Sequence, residues 1–338
     1  MIFIKLKESR LYMKLAFFDT KKYDIASFEK PLEEANIEVK YFETHLNEDT
    51  VSLAQGFDAV CVFVNDVINE TVANKLYEYG IRVIVLRCAG FNNVDVKACK
   101  DKIQIFRVPA YSPYAVAEHA MALLLTINRH THRAYARTRD FNFSLANLSG
   151  FDLYGKTVGI IGTGKIGKVF ANICKGFGMN ILAYDKYPDS NLDVKYVELD
   201  ELFANSDIIS LHCPLAFDTY HMINAMAIKM MKPGAVIINT SRGGLIDTDA
   251  LINGLLTRRV GAACLDVYEE EADVFFEDRS GSILEDEKLV RLIAMPNVIV
   301  TSHQAFLTKE ALDNIAATTV DNLQKFRDGD ANPNTEVC

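Results

Sequence analysis

Short apolar runs recur along this chain, each closed by a polar residue and separated by segments whose apolar positions follow helical spacing. Runs at 14–18, 38–42, 59–64 and 83–87 predict strands, with helices at 23–35, 70–79 and near 95–100. After Pro113 the pattern changes to a long Ala-, Leu- and Met-rich stretch, 114–139, which reads as one helix crossing into a second domain. Its apolar half, 115–127, exceeds what one small domain can bury, and its second half is arginine-rich. Strand runs resume at 157–161, 181–184, 208–211, 236–239, 262–265 and 298–301. Helical spacing lies between them at 199–204, 224–231 and 248–256, with a last amphipathic helix at 307–326. Strands alternating with helices predict βαβ units and parallel sheets. The fold class is therefore α/β, with two doubly wound, Rossmann-like domains.

The most informative stretch is TVGIIGTGKIGKVFANICKGFGMNILAYD, 157–185. An apolar strand runs into Gly162, Gly164 and Gly167. Ile166, Val169, Phe170, Ile173, Cys174 and Phe177 then form one helical stripe, Gly178 supplies a stop, and a second strand ends in Asp185. Each part answers a need of a dinucleotide. The first glycine makes a tight turn, the second lets backbone approach a pyrophosphate, and the third lets the helix sit on the strand. The helix N-terminus offers amides and a partial positive charge to phosphate. Asp185 suits ribose hydroxyls and would repel a 2′-phosphate, so the cofactor expected is NAD.

Composition narrows the function classes. With 338 residues the chain is long enough for two cores, and its net charge of −9 argues against a nucleic-acid or anionic-membrane partner. Seven cysteines without a C-x-x-C pair read as buried free thiols of a reducing compartment. With no spanning-length run and no signal-peptide core near the start, the expected location is cytoplasmic. Residues 1–12 precede the first strand and read as an extension of unknown role.

In an open parallel sheet, ligands gather beyond the carboxyl ends of the strands. In the second domain those ends carry Asp185, Cys213, Arg242, Asp266 and His303. A guanidinium at Arg242 can fork onto a carboxylate, and His303 has the side chain suited to proton exchange near neutrality. A histidine in that role needs a partner, and Glu269, Glu270 and Glu271 all remain candidates on sequence alone. In the first domain, strand 83–87 ends at Cys88-Ala89-Gly90, which reads equally as a plain turn or as an amide cradle for a small carboxylate. Glu118 and His119, in an apolar helix, read as a structural pair. No metal-ligand pattern is present.

Six stretches in order carry a family resemblance: RCAGFNNVD (87–95), RVPAYSPYAVAEHA (107–120), GIIGTGKIGKVF (159–170), NTSRGGLID (239–247), LDVYEEE (265–271) and SHQAFLT (302–308). The sequence resembles the D-isomer-specific 2-hydroxyacid dehydrogenases, and within them the bacterial fermentative D-lactate dehydrogenases. The resemblance implies a discontinuous substrate domain, 13–112 and 304–338, with an NAD domain, 113–303, inserted into it. It implies Arg242 as binder of the substrate carboxylate, His303 as acid/base and Glu271 as its partner. NAD contacts are implied at Gly162, Gly164, Lys165, Ile166, Gly167, Asp185, Cys213, Pro214, Thr219, Thr240, Ser241 and Asp266, the last holding the nicotinamide carboxamide. Substrate contacts are implied at Ala89, Gly90 and Tyr111, besides Arg242. The expected reaction is reversible hydride transfer from NADH to pyruvate, giving D-lactate, in a homodimer or a dimer of dimers. A larger 2-keto acid, or an NAD(H)-sensing protein without turnover, remain alternatives.

Overall fold

The computed structural model describes residues 12–271, 274–330 and 333–338. The extension expected at 1–12 lies outside them except for Tyr12. Two compact units divide the chain, one made of Met1–Ser112 with Leu307–Cys338 and the other of Pro113–Phe306. The second unit thus keeps residues 304–306, which the sequence boundary had given to the first. The amides of Gln304 and Ala305 bond the carboxylate of Asp266 and hold the segment there.

In the first unit, β1 (Met13–Phe17), β2 (Ile37–Tyr41), β3 (Ala59–Val62), β4 (Val83–Leu86) and β5 (Gln104–Phe106) form a parallel sheet of order β2-β1-β3-β4-β5. Helices α1 (Lys22–Glu34), α2 (Glu70–Glu78) and α3 (Val96–Cys99) connect them. β3 and β4 are buried at every position, which is why they read as unbroken apolar runs. Arg87, directly after β4, is 2% exposed. Its Nε meets Asp24 at 3.2 Å, its other nitrogens donate to the carbonyls of Phe18 and Asp19, and its plane lies near the rings of Phe17 and Phe63. A buried guanidinium needs such saturation, because an unpaired buried charge costs several kcal/mol.

The second unit opens with α4 (Pro113–Arg129) and α5 (Thr131–Arg139). The single long helix expected here is broken at His130, whose φ of 52° is left-handed. The dimer argument drawn from its apolar half also changes. Ala115, Val116, Ala117, Ala120, Met121, Leu123, Leu124 and Ile127 are all buried within this one chain. Tyr114 and Ala122 on the outer face of α4 stay exposed, as does the segment that follows, including Phe141, Phe143 and Leu145.

Seven parallel strands come next: β6 (Thr157–Ile161), β7 (Asn180–Tyr184), β8 (Lys195–Tyr196), β9 (Ile208–Leu211), β10 (Ala235–Asn239), β11 (Val260–Leu265) and β12 (Val298–Val300). Their order is β12-β11-β10-β9-β6-β7-β8, so strand order reverses at β6, between β9 and β7. The covering helices are α6 (Lys165–Gly176), α7 (Leu199–Asn205), α8 (Ala225–Met230), α9 (Thr248–Leu256) and α10 (Glu287–Ala294), and α11 (Lys309–Asp328) belongs to the first unit. Strands β5 and β8 and helix α10 have no counterpart in the sequence reading. All seven cysteines are free and six are buried.

His212, just past β9, is part-buried between this core and the cavity that opens beside β6. Its Nε2 shares a hydrogen bond with Ser210 Oγ at 2.8 Å, its ring packs on Phe170, and its Nδ1 has no partner among the described residues. Burial pushes its pKa down from the ordinary 6.5 to about 3. The folded state therefore holds the ring neutral, while the unfolded chain takes up a proton below pH 6.5. Stability from this group is complete above pH 6.5 and is lost as the pH falls towards 3. Denaturant unfolding at pH 7, 6 and 5 should show the parent losing up to about 1.4 kcal/mol per pH unit more than His212→Gln. Equal slopes in the two proteins would contradict a neutral His212 in the folded state.

Candidate active site

The glycine turn after β6 is built by close approach. Gly162 has φ +95°, and a Cβ there would lie 2.6 Å from the amide nitrogen of Cys213. A Cβ on Gly167 would sit 2.0 Å from the carbonyl oxygen of Gly162. A Cβ on Gly164, by contrast, would meet nothing within 4 Å, so this glycine fronts open space. Gly164 is the N-cap of α6 and supplies no side-chain cap, which leaves first-turn amides to a ligand.

That turn forms one wall of a cavity of about 360 Å³ at the reversal of strand order. Ends of β6, β7 and β9 line it through Gly162, Gly164, Asp185, Cys213, Pro214 and Thr219. Lys165 and Ile166 open α6 beside it. Thr219 Oγ donates to Pro214 O and accepts from Ala216 N, so this hydroxyl shapes the loop. Ser241 Oγ donates to Cys213 O at 2.6 Å, while the buried Thr240 hydroxyl has no partner among the described residues. Glycines that admit only backbone, an open amide turn and an orphaned hydroxyl fit a dinucleotide.

Asp185 is held from several sides. Its Oδ2 accepts from Thr163 N at 2.6 Å and from Thr163 Oγ at 3.0 Å, and its Oδ1 accepts from Tyr187 N at 2.8 Å. Thr163 Oγ in turn accepts from the hydroxyl of Tyr196, on β8, at 2.9 Å. Burial raises the Asp185 pKa, but the bonds from Thr163 and Tyr187, with Lys168 nearby, outweigh it and hold the carboxyl below its usual range. Sequence reading found Asp185 and missed Thr163 and Tyr196.

At the carboxyl ends of β10, β11 and β12, three neighbouring strands, stand the groups suited to chemistry. His303 Nδ1 meets Glu271 Oε1 at 2.8 Å, and Glu271 Oε2 accepts from Tyr268 N at 3.0 Å. Of the three consecutive glutamates, Glu271 is therefore the one paired with His303. Glu269 goes elsewhere, to His221 Nε2 and to Thr248 Oγ at 2.8 Å. Burial raises its pKa, and those two bonds bring it below the usual carboxylate range. Arg242 donates through one nitrogen to Ser241 O, and among the described residues its guanidinium has no acidic partner.

Asp266, the residue that the resemblance gives to the nicotinamide carboxamide, is saturated here by donors of the protein itself. It is fully buried. It accepts from Thr301 Oγ at 2.5 Å, Gln304 N at 2.9 Å and Ala305 N at 2.8 Å, with His119 Nε2 at 3.3 Å. His119 is thus a partner of Asp266 and Thr301 rather than of Glu118. The described structure brings together Arg242, Glu271, His303 and the dinucleotide wall in one unit. Ala89, Gly90 and Tyr111 belong to the other, where Ala89 O accepts from Arg107 and Tyr111 O from Asn314.

The chain is similar to known proteins along nearly its whole length. A 2-hydroxyacid dehydrogenase homolog of Haemophilus influenzae is 52% identical over 321 residues, 94% of this chain and 97% of that protein. The D-lactate dehydrogenase of Escherichia coli is 50% identical over 329 residues, 96% of this chain and all of that protein, and its apo-structure superposes with a TM-score of 0.89. The solved pyruvate reductase of Chlamydomonas reinhardtii, 41% identical, has a TM-score of 0.92 and covers 95% of this chain and 98% of that one. Residues 121–305, over half of the chain, match the model of the D-isomer specific 2-hydroxyacid dehydrogenase, NAD binding domain. The chain belongs to the D-isomer specific 2-hydroxyacid dehydrogenase family.

Proposed function

We propose that this protein is an NAD-dependent D-lactate dehydrogenase that reduces pyruvate to D-lactate, and that His303, Glu271 and Arg242 are its reacting and binding groups. The observation that carries the reading is the His303–Glu271 pair, formed beyond the ends of β12 and β11, with the unpaired Arg242 just beyond the end of β10, the neighbour of β11. The named activities of the Escherichia coli and Chlamydomonas relatives support pyruvate as the substrate.

Gly162, Gly164, Gly167, the first turn of α6 and Asp185 would hold the cofactor, which when bound supplies a hydride to the keto carbon. The chain's own groups do the rest. Arg242 takes the substrate carboxylate through a forked pair of N–H donors, which orients the neighbouring carbonyl. Glu271 accepts the Nδ1 proton of His303, so the tautomer is fixed and Nε2 is the atom that faces substrate. Protonated at Nε2, His303 donates to the keto oxygen as hydride arrives, and in the reverse direction it takes the hydroxyl proton of lactate. The Tyr268 amide holds the second oxygen of Glu271 and keeps the pair in register.

The first unit, with Ala89, Gly90 and Tyr111, is the substrate domain in this reading, and the protein works in the cytoplasm. Exposed Phe141, Phe143 and Leu145 are best covered by a second copy, giving a homodimer. Sedimentation at micromolar concentration should show a dimer or larger; a monomer would overturn that assignment.

A panel of 2-keto acids with NADH, read at 340 nm and followed by chiral analysis of the product, tests the function. Pyruvate should be the preferred substrate and D-lactate the product. A clear preference for a longer keto acid would reassign the substrate within the family, and no oxidation of NADH by any of them would overturn the enzyme reading. His303→Gln should lower kcat by roughly 10²–10⁴ while NADH still binds. Arg242→Gln should lower kcat/KM for pyruvate by about 3 kcal/mol or more in transition-state stabilisation. A Glu271→Gln variant keeps a hydrogen bond without the charge and should fall between the parent and His303→Gln. Parent-like turnover in His303→Gln would remove His303 from the mechanism.

A further inference from the structure

We infer that Thr163 and Tyr196 set the choice between NAD(H) and NADP(H), by fixing the carboxylate of Asp185 through a one-way chain of hydrogen bonds; the inference rests on reading the β6–β7 cavity as a dinucleotide site. Asp185, as a carboxylate, can only accept, so Thr163 must spend its one hydroxyl proton on Oδ2, at 3.0 Å. Thr163 Oγ then has only lone pairs left, and the Tyr196 hydroxyl donates to it at 2.9 Å. The Tyr196 oxygen accepts in turn from the amide of Asp189, at 3.1 Å. Every donor in the series points towards Asp185, and such aligned bonds polarise one another. The Asp189 end is tied down as well, since its side chain pairs with Lys168 on α6 and with the amide of Asn191.

The chain uses up Oδ2. Thr163 N and Thr163 Oγ both bond it, and Thr163 is 3% exposed, so no water replaces either donor. The carboxylate is left with Oδ1, tied to one amide, for outside partners. A carboxylate fixed in this way accepts from a ribose hydroxyl and stands as a fixed negative charge against a 2′-phosphate. Lys186, the next residue, lines the same cavity and is its one cation among the described lining residues. It pairs at 3.1 Å with Asp218, which lines the cavity too. Once Asp185 is free to turn away, Lys186 becomes a partner for a 2′-phosphate. The discrimination therefore depends on the residue between the first two glycines and on a tyrosine of an edge strand, both acting as positioning residues.

Binding titrations of purified full-length protein, followed by the fluorescence of NADH and of NADPH, test this without turnover. The readout is the ratio of the two dissociation constants. Thr163→Val, which keeps the backbone amide but removes the hydroxyl, should reduce the preference for NADH by about tenfold. Tyr196→Phe should move it in the same direction by about threefold. Thr163→Ser restores the donor and should restore the parent ratio. Asp185→Ala, the reference, should abolish the preference. Should Thr163→Val fail to fold, as judged by circular dichroism, the part-buried Tyr196→Phe carries the test. Ratios within twofold of the parent in both Thr163→Val and Tyr196→Phe would overturn the inference. Failure to turn over pyruvate would leave it standing, because binding alone is read. A parent protein that binds neither dinucleotide would overturn the cavity's reading and the inference with it.

Discussion

The buried carboxylate of Asp266 is the constraint on which the corner around His303 depends. Taking a carboxylate out of water is costly unless its oxygens are saturated with donors. Here a threonine hydroxyl and two consecutive amides supply them, with His119 from α4 close by. To present those amides, the chain leaves β12, turns through a left-handed residue and doubles back. That residue is His303, with φ 52° and its amide bonded to Asp266 O at 2.7 Å. A non-glycine residue holds such a conformation only where its surroundings impose it. The backbone that carries His303, the proposed proton-transfer group, is thus positioned by an acid that itself faces no solvent.

The partner of His303 is held with similar economy of groups. Glu271 and Glu269 are two residues apart, yet one is drawn to His303 and the other to His221 and Thr248. Each carboxylate uses both oxygens, which fixes its plane as well as its position. Between them the two glutamates tie the segment after β11 to the ends of β12, to the start of α9 and to the loop after β9. Gly243 allows this crowding, because a Cβ there would lie 2.0 Å from the carbonyl oxygen of Tyr268. Arg242 beside it keeps its charge unspent, in a place where its neighbours have satisfied one another.

The cofactor wall follows from topology in the same way. Strand order reverses at β6, so the loops after β9 and β6 part and leave a crevice there. The glycine turn can enter that crevice only as bare backbone, with Gly162 packed on the Cys213 amide and Gly167 on Gly162. His212, part-buried and neutral beside Phe170, packs against the glycine turn.

Taken alone, the sequence determined what depends on neighbours in the chain. Runs of buried residues marked β3, β4, β6, β9 and β10, and the stripe of α6 is visible because helical period and apolar period coincide. The glycines and Asp185 were legible because one βαβ unit contains all of them within thirty residues. Three short elements were not read: β5 and β8 have three residues and two, and α10, although amphipathic through Leu289, Val290, Leu292 and Ile293, has eight. The break at His130 was hidden because a left-handed residue in a helix-favouring stretch leaves no compositional mark. Pairings across distance were also beyond reach. Three adjacent glutamates are equivalent in a sequence, and only the approach of β12 to β11 separates Glu271 from Glu269. Thr163 and Tyr196 are 33 residues apart, and their contact exists because parallel pairing lays β8 against β7. Residue types reveal which chemistry is possible, but a hydrogen bond needs two atoms within about 3 Å, and only the packed chain decides which two they are.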